Sequence, residues 1–214
     1  MLFLKKRQAA IDIRNSIFAA FPKSLHDDVG YVINVIGKEL FVSERIDYNH
    51  RTPSHAFTLL SNEQVSIPYR IWLDDYANEI VLTPVQQSIL HCIYSRSTNG
   101  YLREKHIKAI LENDIPFWAF PYVLKLCDEY VIEILEVIYD KLKNQDNTEL
   151  KTFCQMNLSY FLYSHARMIS YWDYFYRDRC YKYKNYIGKK LYHECFGYSR
   201  KLEKMRATEA HYDS

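Results

Sequence analysis

Apolar residues recur every three or four positions along most of this sequence, and that spacing places them on one face of an α-helix. Two such stretches, separated by Pro22, fill residues 2–40. Proline cannot continue a helix interior, so the pattern predicts two amphipathic helices that meet near this residue.

The helical spacing is lost between residues 43 and 75, where prolines alternate with short runs of β-branched and aromatic residues. These runs predict one small β-hairpin around residues 56–73 that turns at Ser61-Asn62. Pro68 has no backbone N–H to donate, so its strand should lie at the edge of a sheet.

The strongest helix signals lie between residues 83 and 112. Thr83 is a typical N-cap, and Pro84 suits the first helical position. Asn99-Gly100 predicts a left-handed stop for this helix. A second apolar helix follows, so the segment should form a helical hairpin.

The stretch NGYLREKHIKAIL resembles the second helix of a HEAT-type repeat unit, in which a turn leads through a hydrophobic–Arg pair into an apolar helix. Leu102-Arg103 is that pair, and His106 stands where the family has a small residue. The resemblance covers about residues 83–112, and no second copy follows at a period of about 40 residues. It implies stacked helix pairs and a protein-binding surface.

Residues 121–142 have the clearest amphipathic pattern of the chain and are predicted to form one helix. Carboxylates at steps of four, three and four share one of its faces: Glu129, Glu133, Glu136 and Asp140. Like charges at these steps repel, so the stripe is solvated, paired with a basic surface, or bound to metal. We favour a solvated face without metal, because the sequence lacks the Glu-x-x-His pairs of di-metal helical bundles.

The charge of the chain is divided along its length. Residues 151–214 hold twelve Lys and Arg against six Asp and Glu, whereas residues 1–150 hold sixteen against twenty. Ten of the 20 tyrosines lie between Tyr160 and Tyr198. Because tyrosine combines an apolar ring with a polar tip, this basic, Tyr-rich region is suited to surfaces that are partly buried or meet a partner.

Asn147-Thr148 predicts the start of one long helix that continues to about Arg177. Two stripes of such a helix face nearly opposite directions. The apolar stripe, expected in the core, contains Phe161, Ser164, Met168, Tyr171, Trp172 and Phe175. The other stripe alternates rings with cations and contains Tyr163, Arg167, Ser170, Tyr174, Arg177 and Tyr181.

The second stripe has three interpretations. It is packing with a solvated basic margin, which we favour, a surface that stacks bases while Arg contacts phosphate, or a docking site for an acidic protein. The candidate binding residues for a nucleic acid or a protein partner are Tyr163, Arg167, Tyr174, Arg177, Lys182 and Lys184.

The common catalytic motifs are absent from the sequence, and one short pattern resembles a ribonuclease motif. The chain contains no HExxH, no GxSxG and no Gly-rich phosphate loop, and its five cysteines form no CxxC pair. RIDYNH, from Arg45 to His50, resembles the Arg-x4-His motif of the HEPN ribonucleases. That resemblance would imply metal-independent cleavage of RNA, with both residues near the scissile phosphate.

We therefore predict one mainly α domain over residues 1–214, a multi-helix bundle or short α-solenoid-like array with one hairpin and a basic C-terminal region, residues 151–214. The predicted function is protein interaction or regulation without a cofactor. Nucleic-acid binding through the C-terminal region is the alternative, and a HEPN-like ribonuclease is a further one. No segment approaches the ~20 apolar residues of a membrane span, so we expect a cytoplasmic protein.

Overall fold

The computed structural model of the protein describes residues 11–37, 54–73, 75 and 81–204. These residues are mainly α-helical, with one two-stranded antiparallel sheet, which confirms the predicted fold class. They form two compact units, Met1–Asp114 (unit 1) and Ile115–Ser214 (unit 2). The organisation of the whole chain as a single domain stays a prediction. Within the described ranges, no helix has the length and apolar character needed to cross a bilayer.

Unit 1 starts, in the described part, with helix α1 over residues 11–18. A 3-10 turn, Lys23–Leu25, follows Pro22 and leads into α2, His26–Val35. Pro22 thus ends one helix before the next begins, as predicted. The buried side chains of α2 repeat at three and one residues: Val29, Val32 and Ile33.

The hairpin consists of β1, Ser54–Thr58, and β2, Gln64–Pro68, paired antiparallel. Asn62 in the turn has φ of 58°, the left-handed conformation that Asn tolerates better than most residues. The backbone N–H of Ser66 donates to the carbonyl of Ala19 at 2.7 Å, which attaches the hairpin to the end of the first helix. The predicted hairpin and its turn are confirmed.

Helix α3, Pro84–Tyr94, begins with a capping box. The Thr83 hydroxyl accepts the N–H of Gln86, and the Gln86 side chain accepts the N–H of Thr83. Two backbone donors that the first turn would leave without partners are therefore satisfied, which confirms the predicted N-terminus.

The predicted stop at Asn99-Gly100 is wrong, because Asn99 begins a helix instead of ending one. Helix α3 ends five residues earlier than Asn99, and the Asn99 side chain accepts the N–H of Tyr101 at the start of α4, Gly100–Glu112. Asn is as favourable at an N-cap as at a left-handed stop, so the dipeptide fits both roles. Helices α3 and α4 still form the predicted pair, and its likeness to a HEAT-type unit stays a prediction.

Unit 2 does not contain the single helix predicted over residues 121–142. The segment divides into α5, Phe120–Cys127, and α6, Ile132–Leu142. Asp128 leaves the helical conformation, with φ of −97° and ψ of 26°, and its carboxylate is buried in the connection. Side-chain hydrogen bonds of Asp compete with helical continuity, which accounts for the break.

The long helix predicted from residue 148 to 177 is also divided. It forms α7, Thr148–Met156, and α8, Leu158–Tyr171. Asn157 between them has φ of −115° and ψ of 38°, and its side chain donates to the carbonyl of Phe153 at 3.0 Å. The Asn157 side chain thus bonds to the last turn of α7 and separates the two helices. The apolar residues of α7 and α8 nevertheless keep the same helical spacing across the break.

After α8 the chain continues as a wide π turn, Trp172–Tyr176, and a 3-10 turn, Tyr183–Asn185. A short helix α9, Ile187–Lys190, and a second π turn, Leu191–Cys195, follow. Gly188 fits tightly, since a Cβ there would lie 2.8 Å from Met168 Cγ and 2.6 Å from a Tyr186 ring carbon. Glycine is therefore what allows α9 to pack closely on α8.

Candidate interaction surface

Helix α8 has the inner face that the sequence predicts only as far as Met168, since Tyr171 and Trp172 of the predicted stripe are half-buried. Phe161, Ser164 and Met168 are buried, and the Ser164 hydroxyl is hydrogen-bonded to the hydroxyl of buried Tyr192. Further along, Phe175 is exposed rather than in the core. The inner stripe ends where the π turn begins, because a wider turn rotates the following residues away from the helical spacing.

Four rings at this turn form one cluster, which we call the aromatic surface: Tyr130, Tyr171, Tyr174 and Phe175. The Phe175 ring centroid lies 5.5 Å from Tyr130, 6.0 Å from Tyr171 and 4.7 Å from Tyr174. Three of the rings are exposed, 81% for Tyr174, 52% for Tyr130 and 47% for Phe175. The cluster therefore combines mutual ring contact with access to solvent.

Two hydrogen bonds hold the π turn in place. The Tyr176 hydroxyl donates to the carbonyl of Tyr130, and the Trp172 indole donates to the carbonyl of Cys180 at 2.9 Å. The first bond joins the turn to the start of α6. The position of the exposed rings is consequently fixed by residues on both sides of the turn.

Arg167, predicted as an outward cation, lies half-buried between two tyrosines. Its guanidinium carbon is 5.6 Å from the Tyr163 ring centroid and 5.3 Å from that of Tyr171, and it donates to both hydroxyls. Its Nε lies 3.4 Å from Oδ2 of Asp128. Burial opposes its charge, but the bond to Tyr163 and the charge of Asp128 raise the pKa of Arg167. Arg167 thus orients two rings beside the aromatic surface.

A buried polar network supports Arg167 from inside. The Tyr160 hydroxyl donates to Asp128 Oδ2 at 3.1 Å, and Lys125 Nζ donates to the Tyr160 oxygen at 3.4 Å. Lys125 is 2% exposed and Asp128 is 4% exposed. Sequence reasoning missed this network, since Tyr160 and Arg167 lie more than thirty residues from Lys125 and Asp128 and no local spacing relates the two pairs.

The predicted acidic stripe contains three residues rather than four. Glu129 lies buried in the connection before α6, because the helix that would have aligned it is interrupted. Glu133, Glu136 and Asp140 are exposed on α6, and Asp140 pairs with Lys143 at 2.6 Å. We call the exposed Glu133 and Glu136 the acidic border.

The acidic border lies near the π turn. Partial burial raises the pKa of Tyr176, and a hydrogen bond with the backbone of Ile132 lowers it. The charges of Glu133 and Glu136 raise this pKa, while Arg179 lowers it. Tyr176 is the residue whose hydroxyl binds Tyr130. Charges of both signs therefore act on Tyr176.

The predicted cations beyond the turn are exposed, but they are not equivalent. Arg177 pairs with Asp173 at 2.8 Å. Within the described ranges, no carboxylate lies within ion-pair distance of Lys182 or Lys184, which we call the basic border. The structure thus brings Tyr163 and Arg167 into contact, connects Tyr174 to them through Phe175 and Tyr171, and leaves the two lysines accessible.

Buried histidines provide a second group of titratable residues. In unit 1, Nδ1 of His91 and Nδ1 of His106 are 2.8 Å apart, and His106 stacks on Tyr94. Burial lowers the pKa of His106 to about 3, with a contribution from His91. In unit 2, His165 stacks on Tyr198 at 3.6 Å between centroids, and burial lowers its pKa to about 4. These rings are core groups in their neutral form.

No metal-binding cluster of three or more His, Cys, Asp or Glu is present in the part of the chain that the structure describes. Arg45 and His50, the candidate ribonuclease pair, lie outside the described residues. A comparison with protein-family models, curated proteins and solved structures finds no match to this chain.

Proposed function

We propose that this protein is a non-catalytic protein-interaction module that binds its partner through the aromatic surface of unit 2. The observation that carries the proposal is the contiguous, exposed group of rings at the π turn. Exposed single apolar residues are common, whereas clustered exposed rings are a feature of binding sites.

The composition of the surface supports a protein partner. Tyrosine, phenylalanine and arginine are enriched at the centres of protein interfaces, where a few such residues contribute most of the binding energy. Tyr174 and Phe175 project from the turn with rings 4.7 Å apart, and Arg167 lies beside the neighbouring Tyr171. These are the side chains that would act as anchors.

The rings are also held in position before any partner arrives. Arg167 donates to Tyr171 at 2.6 Å and is itself held by Asp128, so the Tyr171 ring loses little freedom on binding. A side chain that is already ordered avoids about 0.5–1.5 kcal/mol of entropy loss when it is immobilised. This preorganisation favours specific binding over a solvated margin.

Nucleic-acid binding ranks second. Arg167 and Arg177 are engaged by carboxylates at 3.4 and 2.8 Å, and the acidic border would repel a phosphate backbone. Salt-sensitive retention on single-stranded RNA that disappears in a Lys182→Ala, Lys184→Ala variant would reverse this ranking. The ribonuclease hypothesis for Arg45 and His50 stays a prediction, tested by RNA cleavage that survives purification and is lost in His50→Ala.

The test compares three immobilised full-length proteins in an extract of the cells that make this protein. They are the wild type, a Tyr174→Ala, Phe175→Ala variant, and Tyr101→Ala. Tyr101 is the matched control, since it is 85% exposed but lies on α4 of unit 1. We expect one protein at a fixed ratio with the wild type and the control, and at least about tenfold less with the double variant. Equal retention by all three, or none by the wild type, would contradict the proposal.

A further inference from the structure

Two histidines of unit 1 bring ring nitrogens together where helix α4 packs on α3. Nδ1 of His91, on α3, lies 2.8 Å from Nδ1 of His106, on α4, and the ring centroids are 5.1 Å apart. His106 also stacks on buried Tyr94, with centroids 4.6 Å apart. The nitrogens are at hydrogen-bond distance, so one Nδ1 donates and the other accepts. We call this arrangement the closed pair.

The surroundings of His106 decide which ring donates. Nε2 of His106 is buried and has no hydrogen-bond partner among the described residues. A buried N–H without an acceptor is rarer in proteins than an acceptor without a donor, so His106 keeps its hydrogen off Nε2. His106 therefore carries this hydrogen on Nδ1 and donates it to Nδ1 of His91, which has its own hydrogen on Nε2.

The closed pair opposes the uptake of protons. A protonated imidazole has a hydrogen on both nitrogens and accepts with neither. One added proton already places a hydrogen on the buried Nε2 of His106, whichever of the two rings it charges. A second proton places two N–H groups and two positive charges opposite each other at 2.8 Å, and the contact between the helices is lost.

The charged groups around the pair do not compensate for added protons. Burial lowers the pKa of both rings, to about 3 for His106. Lys105 lowers both pKa values further, whereas Glu112 raises that of His91 and Asp75 raises that of His106. Asp75 is itself paired with Lys105 at 3.1 Å. Both rings therefore bind protons less readily in the closed pair than after it opens, and opening becomes easier as the pH falls below about 6.5.

We propose that unit 1 contains an acid-sensitive switch, in which α4 separates from α3 when His91 and His106 take up protons. The connection between the helices is held by Arg103, which donates to the carbonyls of Ser97 and Thr98 at 3.0 Å each. The switch concerns unit 1 and does not depend on the function proposed for unit 2. Its opening exposes apolar side chains of α4 that are buried in the closed pair: Leu102, Ile107, Ile110 and Leu111.

Hydrogen exchange of the full chain tests the proposal, measured by mass spectrometry at pH ~7 and pH ~5.5 and corrected for intrinsic exchange rates. Over this range, an opening that takes up two protons should become up to about 70-fold more frequent, and one that takes up a single proton about eightfold. We expect the larger response in the peptides of α4. His91→Asn keeps an acceptor near the position of Nδ1 and removes one titrating group, so its response should be limited to about eightfold.

His193→Asn is the matched control, since it makes the same substitution at an exposed histidine of unit 2. The response of α4 in this variant should equal that of the wild type. Unchanged circular dichroism at pH ~7 checks that both variants fold. A wild-type response no larger than that of His91→Asn would overturn the proposal.

Nuclear magnetic resonance of the wild type provides a test that needs no variant. The ring ¹⁵N shifts at pH ~7 should show a hydrogen on Nδ1 of His106 and none on Nδ1 of His91. A hydrogen on neither Nδ1 would contradict the proposal, because the two rings would then share no hydrogen bond for protons to break.

Discussion

In unit 1 the buried arginines bind main-chain carbonyls, whereas in unit 2 the half-buried Arg167 binds a carboxylate and two tyrosines. Arg96, 1% exposed, donates to the carbonyls of Pro68 and Tyr69 at 3.2 and 2.6 Å. These carbonyls belong to the end of β2 and the residue after it. Arg96 therefore ties the hairpin to the end of α3.

The buried and half-buried cations of unit 2 surround a carboxylate instead of main-chain carbonyls. Lys125 and Arg167 converge on the single carboxylate of Asp128, directly or through Tyr160. Arg167 then extends towards solvent and holds Tyr163 and Tyr171. The network leads from the core to the aromatic surface.

Buried arginine therefore stabilises the fold in unit 1, whereas in unit 2 the ion pair of Asp128 and Arg167 positions side chains at the surface. Removing an arginine that binds main chain should therefore destabilise the fold strongly. Removing the carboxylate beneath Arg167 should cost less stability and should change how the rings are presented.

The largest effect is expected for Arg96→Met, which keeps much of the side-chain volume and removes the guanidinium. The Pro68 carbonyl loses its arginine donor, and the Tyr69 carbonyl keeps its bond from Arg70, so two hydrogen bonds to a charged group are lost. At about 1.5–3 kcal/mol for such a bond, we expect a loss of about 3 kcal/mol in unfolding free energy. Urea unfolding followed by circular dichroism measures it. Arg177→Met is the control, since its exposed pair with Asp173 contributes at most about 0.5 kcal/mol. Equal losses for the two variants would contradict this role of Arg96.

A smaller effect, about 2 kcal/mol, is expected for Asp128→Asn. The neutral amide leaves Arg167 without its carboxylate, but Arg167 reaches water and is partly compensated. Asp173→Asn, at an exposed pair, should cost less than about 0.5 kcal/mol. The Asp128 variant should also retain less of the partner in the extract test, because Arg167 is no longer held under Tyr171. Unchanged retention would mean that the network does not position the aromatic surface.

Stability should decrease as the pH falls below about 6.5, the unfolded pKa of histidine. The folded pKa values of His106 and His165 are lowered to about 3 and about 4, so both rings stay neutral when folded and take up protons on unfolding. Their stabilisation is complete above pH ~6.5 and decreases towards each folded pKa by about 1.4 kcal/mol per pH unit for each ring.

A substitution of the unit 1 histidine tests this pH dependence. His106→Phe retains a ring on Tyr94 and removes one titrating group, so its unfolding free energy should fall less steeply between pH 6.5 and pH 5 than that of the wild type. The charged groups that face His106 oppose each other: His91 and Lys105 lower its pKa, and Asp75 raises it. A variant whose pH profile parallels the wild type would show that this ring does not titrate on unfolding.

Local signals in the sequence predicted those features that depend on neighbouring residues. Thr83-Pro84 predicted the start of α3, and Ser61-Asn62 predicted the hairpin turn. Asn99 was placed at the wrong end of a helix, because its partner Tyr101 distinguishes a start from a stop only in the folded chain.

The helix breaks of unit 2 could not be predicted in this way. Asp128 binds Tyr160, 32 residues away, and no local pattern records that contact. The apolar stripes stay in phase across the interruption, so the periodicity indicated one helix and placed Glu129 on its face. The same missing contact explains why Arg167 was predicted as a free outward cation rather than a partner of Asp128.

The smallest expected loss of unfolding free energy comes from removing a side-chain cap at the start of a helix. Helices α3 and α4 of unit 1 have side-chain caps, from Thr83 and Asn99, whereas helices α5, α6 and α8 of unit 2 begin without one. At α7 the Asp146 side chain accepts the N–H of Thr148. Thr83→Ala should therefore cost about 1 kcal/mol of unfolding free energy.

Thr148→Ala is the matched control at the start of α7, and thermal and urea unfolding measure both variants. The Thr148 hydroxyl donates to Asp146 and accepts no helix N–H, so its loss should cost less than about 0.5 kcal/mol. Similar costs for the two threonines would mean that unit 1 does not depend on local capping more than unit 2. A clear difference would show that unit 1 is specified largely by neighbouring residues, while unit 2 depends on the long-range contacts that also form its aromatic surface.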